Sequence, residues 1–370
     1  MIAKKVSYFH FRNIEKESVE LSEGVNVFLG NNAEGKTNAL EGLYLMAAGK
    51  SFRTPREREM VSFGKDFFEI GLTMEDARRE KELSFKAFSE ESGKRRILQK
   101  NGVTISRISE FIGNFRAVLF CPEHLAIVKA GPSERRNFLD IALCQLRPLY
   151  LASLQRFQKI LKQRNILLKQ LSDGNGDRTL LSVYSEQLAR ESAFLYKMRR
   201  EYVNRLDQTV KALFEKMTEN EMPSLVYQTS LKLSPGEEPG EIEAFELYKK
   251  RLEANVDREI AAGTTLYGSH KDDVEIFLNG KEARLFASQG QQRSLALAMK
   301  LGEGEIARDY AGEYPVFLLD DVLSELDPGR QKFLLSEILE RQVIMTVCTP
   351  PAVMSEAAFF EVKNGTYRKL

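Results

Sequence analysis

Gly30-Asn31-Asn32-Ala33-Glu34-Gly35-Lys36-Thr37 spells G-x-x-x-x-G-K-T directly after an apolar run, Val25-Asn26-Val27-Phe28-Leu29. An apolar helical stretch with Leu40, Leu43 and Ala47 follows it. A strand feeding a glycine-bounded loop and then a helix is the context of a phosphate-binding P-loop. The glycines let backbone N–H groups approach phosphate oxygens. Lys36 reaches the β- and γ-phosphates, and the Thr37 hydroxyl ligates Mg²⁺. The chain is therefore expected to bind a nucleoside triphosphate, with all eight residues as contacts.

Working outward, 370 residues suffice for two or three compact lobes. Hydrophobic residues at 43% and charged residues at 29% are ordinary for a globular protein. No apolar stretch approaches the roughly eighteen residues of a membrane helix, and residues 1–8 lack the apolar core of a signal peptide. Cys121, Cys144 and Cys348 form no CxxC pair, which suits a reducing cytoplasm and offers no metal or disulfide framework. Net charge is only +1, so any nucleic-acid contact must rest on local patches.

Residues 1 to about 125 read as β-rich around one strong helix, with apolar runs at 5–11, 25–29, 67–72 and 117–120. Lys94-Arg95-Arg96 ahead of Asn101-Gly102 predicts a charged hairpin. Past Gly131-Pro132 the texture turns helical. Leu151, Leu154, Phe157, Leu161 and Leu168 recur at helical spacing, as do Leu181, Tyr184, Leu188, Leu195, Met198 and Tyr202. The loop 172–177 between them predicts two long antiparallel helices. A further helix is expected over about 242–261, then a hairpin with strands 274–278 and 281–286, a helix 291–308, and buried strands at 316–319 and 343–347. The expected organisation is one ATPase lobe from residues 1–129 and 263–370, interrupted by a helical lobe over 130–262, with the signature helix of the first lobe free to pack on the second.

Pro315-Val316-Phe317-Leu318-Leu319-Asp320-Asp321 is an apolar run ending in two carboxylates. Such a run is common by itself, but beside a P-loop it reads as Walker B. Asp320 then sits near Mg²⁺ with Thr37, and Asp321 orients or deprotonates the attacking water. Ser288-Gln289-Gly290-Gln291-Gln292-Arg293 precedes a helix with Leu295, Leu297, Met299 and Leu301. A serine hydroxyl, the Gly290 N–H and a helix N-terminus together make an anion site, the shape of an ABC-type signature motif. Ser324-Glu325-Leu326-Asp327 has the spacing of a D-loop. In this architecture a chain cannot present Ser288 and Gly290 to its own P-loop, so two copies must close head to tail around ATP. Lys36, Asp320, Asp321 and Ser288 are the candidate catalytic residues. Thr37 and Ser288 lie 251 positions apart, far more than in a transporter ATPase subunit, which points to an inserted lobe of the SMC kind without its rods.

Several blocks extend these motifs: Ser51-Phe52-Arg53-Thr54, Leu119-Phe120-Cys121-Pro122-Glu123-His124-Leu125, Lys129-Ala130-Gly131-Pro132-Ser133-Glu134-Arg135-Arg136, and Gly268-Ser269-His270-Lys271-Asp272-Asp273. With them, from Met1 to about Pro350, the chain resembles the RecF family of bacterial DNA-repair ATPases, within the ABC/SMC-type group. The family more often has Gly-Pro-His-Arg-Asp-Asp at 268–273, and Lys271 loses the bidentate geometry of arginine. The resemblance implies an α/β ABC-type P-loop head with an inserted α-helical lobe, cytoplasmic and nucleoid-associated. It implies an ATP-dependent dimer acting on single-stranded and gapped or junction DNA. Partners would be RecR and RecO, and indirectly RecA, in replication recovery and the SOS response, with slow DNA-stimulated hydrolysis as a release switch. It also brings Arg12 and Asn13 near the nucleotide and Thr346 or Thr349 to the switch position; no glutamine-containing Q-loop is found, and Pro122-Glu123 is the nearest candidate.

For DNA, residues 147–171 hold six basic residues and no carboxylate. Arg156, Lys159, Lys162 and Arg164 there, with Arg199 and Arg200 on the next helix, form a candidate phosphate-tracking face. Arg95 and Arg96 on the hairpin are the rival contact. Two other functions compete: a transporter's nucleotide-binding subunit, against which the motif spacing argues, and a non-hydrolysing ATP-binding scaffold. A helicase would need motifs that are not found.

Overall fold

A computed structural model of the chain describes residues 1–89, 96–218, 220–231, 233–234, 236–338, 341–349 and 357–370. Two six-stranded sheets enclose one helix. The first sheet is antiparallel, in the order β2-β1-β4-β5-β6-β7. Its strands are β1 (Ile2–Phe11), β2 (Ile14–Glu20), β4 (Phe67–Glu75), β5 (Glu80–Phe88), β6 (Arg96–Lys100) and β7 (Val103–Ile105). β4 alternates buried and half-buried positions, as a strand with one face on a core must. Asn101 and Gly102, both at positive φ, turn β6 into β7.

The second sheet runs β15-β14-β3-β13-β12-β8, parallel except for its edge β15. It consists of β3 (Val25–Leu29), β8 (Ala117–Phe120), β12 (Val316–Asp320), β13 (Val343–Val347), β14 (Ala358–Lys363) and β15 (Thr366–Lys369). β12 and β13 are buried along their whole length, which is why they read as unbroken apolar runs. Helix α1 (Lys36–Ala48) lies between the sheets and is buried on all sides from Ala39 to Ala47. It packs on Phe68, Ile70 and Phe85 of the first sheet and on Phe28, Leu318 and Ile344 of the second. The short α2 (Ile108–Phe111) closes the end of the first sheet.

The inserted lobe is α3 (Pro132–Leu146), α4 (Pro148–Ser172), α5 (Arg178–Met217), α6 (Glu241–Ala254) and α7 (Val256–Ala262). Asp177 caps α5 by accepting from the N–H groups of Thr179 and Leu180, so the turn from α4 is fixed at the expected loop. The apolar stripe of α5 is covered by α4, α6 and α9 (Gln289–Ala311). β9 (Pro223–Gln228) pairs with β10 (Asp273–Leu278), which also pairs with β11 (Lys281–Glu282), so a small sheet joins residues 223–228 to strands beyond residue 262. One expectation is corrected. Residues 283–286 form a helical turn, α8 (Ala283–Phe286), not a strand: only Phe277 and Leu278 find partners across the Asn279-Gly280 turn. Helix α10 (Pro328–Ile338) follows the Walker B strand.

Candidate functional site

The P-loop leaves the carboxyl end of β3, flanked by β13 and β14. A Cβ on residue 30 would stand 2.4 Å from the Val362 carbonyl oxygen, so only glycine lets the loop pass β14. Gly35 sits at φ 115° against Asn13, which excludes other residues there. The first turn of α1 carries no acidic residue, leaving the positive end of its dipole uncompensated over the loop. The Lys36 ammonium donates to the carbonyls of Gly30 at 2.5 Å and Asn31 at 2.8 Å and approaches the Cys348 sulfur at 3.5 Å. It thus points back across the loop concavity, where phosphate oxygens are chemically equivalent acceptors.

Thr37 and Asp320 meet: the hydroxyl donates to the carboxylate Oδ1 at 2.8 Å. Thr346, opposite Asp320 on β13, donates to the same oxygen at 2.9 Å and accepts from the Asp321 N–H at 2.9 Å. Burial pushes the Asp320 pKa up; the two hydroxyl hydrogen bonds oppose this, and the charges of Asp321 and Glu123 add to it. A hard cation would relieve that cost. One carboxylate and one hydroxyl beside a phosphate cradle suit Mg²⁺, which keeps waters and phosphate oxygens as its other ligands. The donor set therefore fits the ion.

Arg12 and Asn13 edge the same site. Asn13 reaches the Glu34 carbonyl at 3.2 Å and accepts from Asn38 at 2.7 Å. The Arg12 guanidinium is held bidentate by the fully buried Glu41 at 2.6 and 2.9 Å, so it braces α1 from the side. Ser51 and Arg53 bind Glu41 too, which gives the Ser51-Phe52-Arg53-Thr54 block its place in the site. Glu123 lies in the turn after β8, on the Asp320 side. Between it, Arg53, Lys50, Asn137 and Lys300 a separate cavity of about 580 Å³ opens toward the helical lobe.

The signature segment is a second rigid corner. Ser288 caps α9 by accepting from the Gln291 N–H at 3.2 Å, and the Gln291 side chain accepts from the Ser288 N–H at 2.8 Å. Arg293 binds the Glu325 carbonyl at 2.5 Å and its carboxylate at 3.0 Å. Arg330, ion-paired with Asp327, donates to Ser294 at 2.7 Å and would lie 3.1 Å from a Cβ on Gly290. Signature and D-loop are thus one unit, and none of these partners belongs to the P-loop.

The structure separates the basic residues sharply. Lys159 and Lys162 are exposed on α4, while Arg156, also exposed, pairs with Glu191 at 2.6 Å. Arg164 and Arg199 are corrections: both are buried. Arg164 binds Glu259, Thr265 and Ser185, and Arg199 binds Asp140, Tyr150 and the Ser269 carbonyl. Neither can reach a phosphate. Arg200 is tied to the Tyr196 hydroxyl and the Pro239 carbonyl. Arg96 pairs with Glu57 at 2.9 Å, and Arg95 lies outside the described residues.

The sequence reading missed the carboxyl-terminal hairpin. The Tyr367 hydroxyl donates to the Gly35 carbonyl at 2.7 Å, and the backbone N–H groups of Asn364 and Gly365 hold Glu34. The Asn364-Gly365 turn was its only local signal.

The AAA domain family model matches residues 5–261. The DNA replication and repair protein RecF of Shouchella clausii is 39% identical over 377 residues, covering all of both chains. RecF of Ruminiclostridium cellulolyticum is 38% identical over 372 residues, covering 99% of this chain and 98% of its own. The solved RecF-ATP structure from the RecFOR pathway superposes with a TM-score of 0.93 at 32% identity, covering 100% of this chain and 97% of the other. An Smc head bound to the winged-helix domain of ScpA shares the fold, with a TM-score of 0.57 at 14% identity, covering 100% and 97%.

Proposed function

The chain belongs to the RecF family of DNA replication and repair proteins, and on that premise we propose that it is an ATP-driven DNA clamp of recombinational repair. ATP is bound through residues 30–37, and Thr37 and Asp320 are the residues that would hold Mg²⁺. The observation that carries this reading is the 2.8 Å contact of Thr37 with Asp320, beside a Lys36 aimed into the loop. Held there, magnesium would supply charge neutralisation and orientation at the phosphates. Asp321 takes a proton from the attacking water.

Dimerisation follows from the other corner. The helix that Ser288 caps is tied to its own D-loop through Arg293 with Glu325 and Arg330 with Ser294, and in this reading Ser288 and Gly290 meet the phosphate of a second copy. The closed pair grips single-stranded, gapped or junction DNA, with Lys159 and Lys162 as phosphate contacts, and hydrolysis releases it. Action with RecR and RecO to load RecA, during replication recovery and the SOS response, belongs to the same reading. So does a cytoplasmic, nucleoid-associated location.

Ser288→Arg tests it. The variant is expected to bind ATP normally yet stay monomeric in light scattering with Mg-ATP and DNA, while wild type pairs. A Ser288→Arg protein that dimerises with ATP removes the cross-subunit role.

A further inference from the structure

We propose that Thr346 is a positioning residue that ties the magnesium carboxylate to the catalytic base, so that Asp320 and Asp321 act as one unit; this rests on the reading of Asp321 as general base. A threonine hydroxyl has one proton to give and lone pairs to receive. Here it gives the proton to Asp320 Oδ1 at 2.9 Å and receives the Asp321 N–H at 2.9 Å. The side chain is 2% exposed, so water cannot replace either bond.

Asp321 is a non-glycine residue at φ 50°, in the left-handed region that side chains avoid. Its peptide N–H, the group that such a turn leaves pointing at β13, is the one Thr346 accepts from. The hydroxyl therefore holds the backbone of Asp321 in this left-handed conformation, directly after Asp320 at the end of β12. Thr37 and Thr346 also share a single oxygen of Asp320. Thr37 can turn toward a nucleotide without freeing the carboxylate, because Thr346 retains it. Strand register makes this possible: Asp320 and Thr346 are paired residues of β12 and β13.

The test compares Thr346→Val, which keeps the branched shape without the hydroxyl, with Thr346→Ser, which keeps the hydroxyl. Thr346→Ala serves as the second hydroxyl-free variant in case valine prevents folding. Loss of the hydroxyl is expected to lower kcat roughly ten- to hundredfold with KM for ATP unchanged. The ATP-bound dimer should persist longer in light scattering, and serine should restore both. Combined with Asp321→Asn, Thr346→Val is expected to add no further loss, because the two act through one group. Wild-type kcat in the hydroxyl-free variants, failure of serine to rescue, or full additivity overturns the inference. Normal turnover in Asp321→Asn alone instead overturns the base assignment beneath it.

Discussion

The Thr37 hydroxyl donates to the Asp320 carboxylate at 2.8 Å, joining residues 283 positions apart. That bond closes the gap between the P-loop and the end of β12. Asp320→Asn keeps an acceptor for Thr37 and Thr346 but removes the charge a divalent ion needs. Calorimetric titration of ATP is expected to show magnesium-enhanced binding in wild type and none in Asp320→Asn. In excess EDTA the two proteins should bind ATP alike.

Asp321 follows this carboxylate directly, its backbone in the left-handed region at φ 50°. Asp321→Asn retains shape and hydrogen bonding while losing basicity. It is expected to bind ATP, dimerise and remain on gapped DNA after wild type has dissociated. Dissociation kinetics after ATP addition, read beside phosphate release, check this; wild-type turnover removes Asp321 from the role of base.

Among the basic residues, exposure decides which can meet DNA. Lys159→Glu with Lys162→Glu should weaken binding to all sequences alike and flatten the salt dependence by about 0.7–0.9 for each phosphate no longer neutralised. Fluorescence anisotropy across a salt series measures both. Arg164→Ala should behave differently. It strands the buried Glu259 carboxylate, held at 2.5 Å, and is expected to cost about 3–5 kcal/mol of stability. Denaturant unfolding should register that loss, while the folded fraction keeps its DNA affinity.

Two histidines set an acid limit. Burial lowers His124 to about 3 and His270 to about 4, the neighbouring Lys300 and Lys271 respectively contributing to the fall and a backbone carbonyl opposing it in each. Both are neutral when folded and take a proton near pH 6.5 when unfolded. Their stabilising effect is therefore complete above pH 6.5 and lost as pH falls toward 4 and then 3. Each should cost up to about 1.4 kcal/mol per pH unit in that window. Melting curves from pH 7 to 4 are expected to flatten in the His124→Gln, His270→Gln double variant.

Local patterning picked out residues 30–37, 315–321 and 288–293 because each segment is written in contiguous residues with a fixed chemical order. The all-buried strands β12 and β13 were equally plain as apolar runs. The four-residue turn 283–286 was not, since a short, mostly apolar stretch such as Ala283-Arg284-Leu285-Phe286 fits strand and helix alike until its pairing partners are known. The basic character of α4 was legible, but not its division. Arg164 and Lys162 are two positions apart in one cation-rich stretch, and only packing against α7 turns the first inward.

What the amino-acid order determined by itself was the phosphate chemistry and the class of fold, because backbone-carried motifs act over a few residues. What tertiary structure alone decided was which side chains share an oxygen, which cations face water, and that the last hairpin braces Glu34 and Gly35. Those facts depend on pairings between distant parts of the chain, such as Tyr367 with Gly35 or Thr346 with Asp320. A hydroxyl at one strand end looks the same in sequence whether it meets solvent or a buried carboxylate; register between β12 and β13 makes the difference.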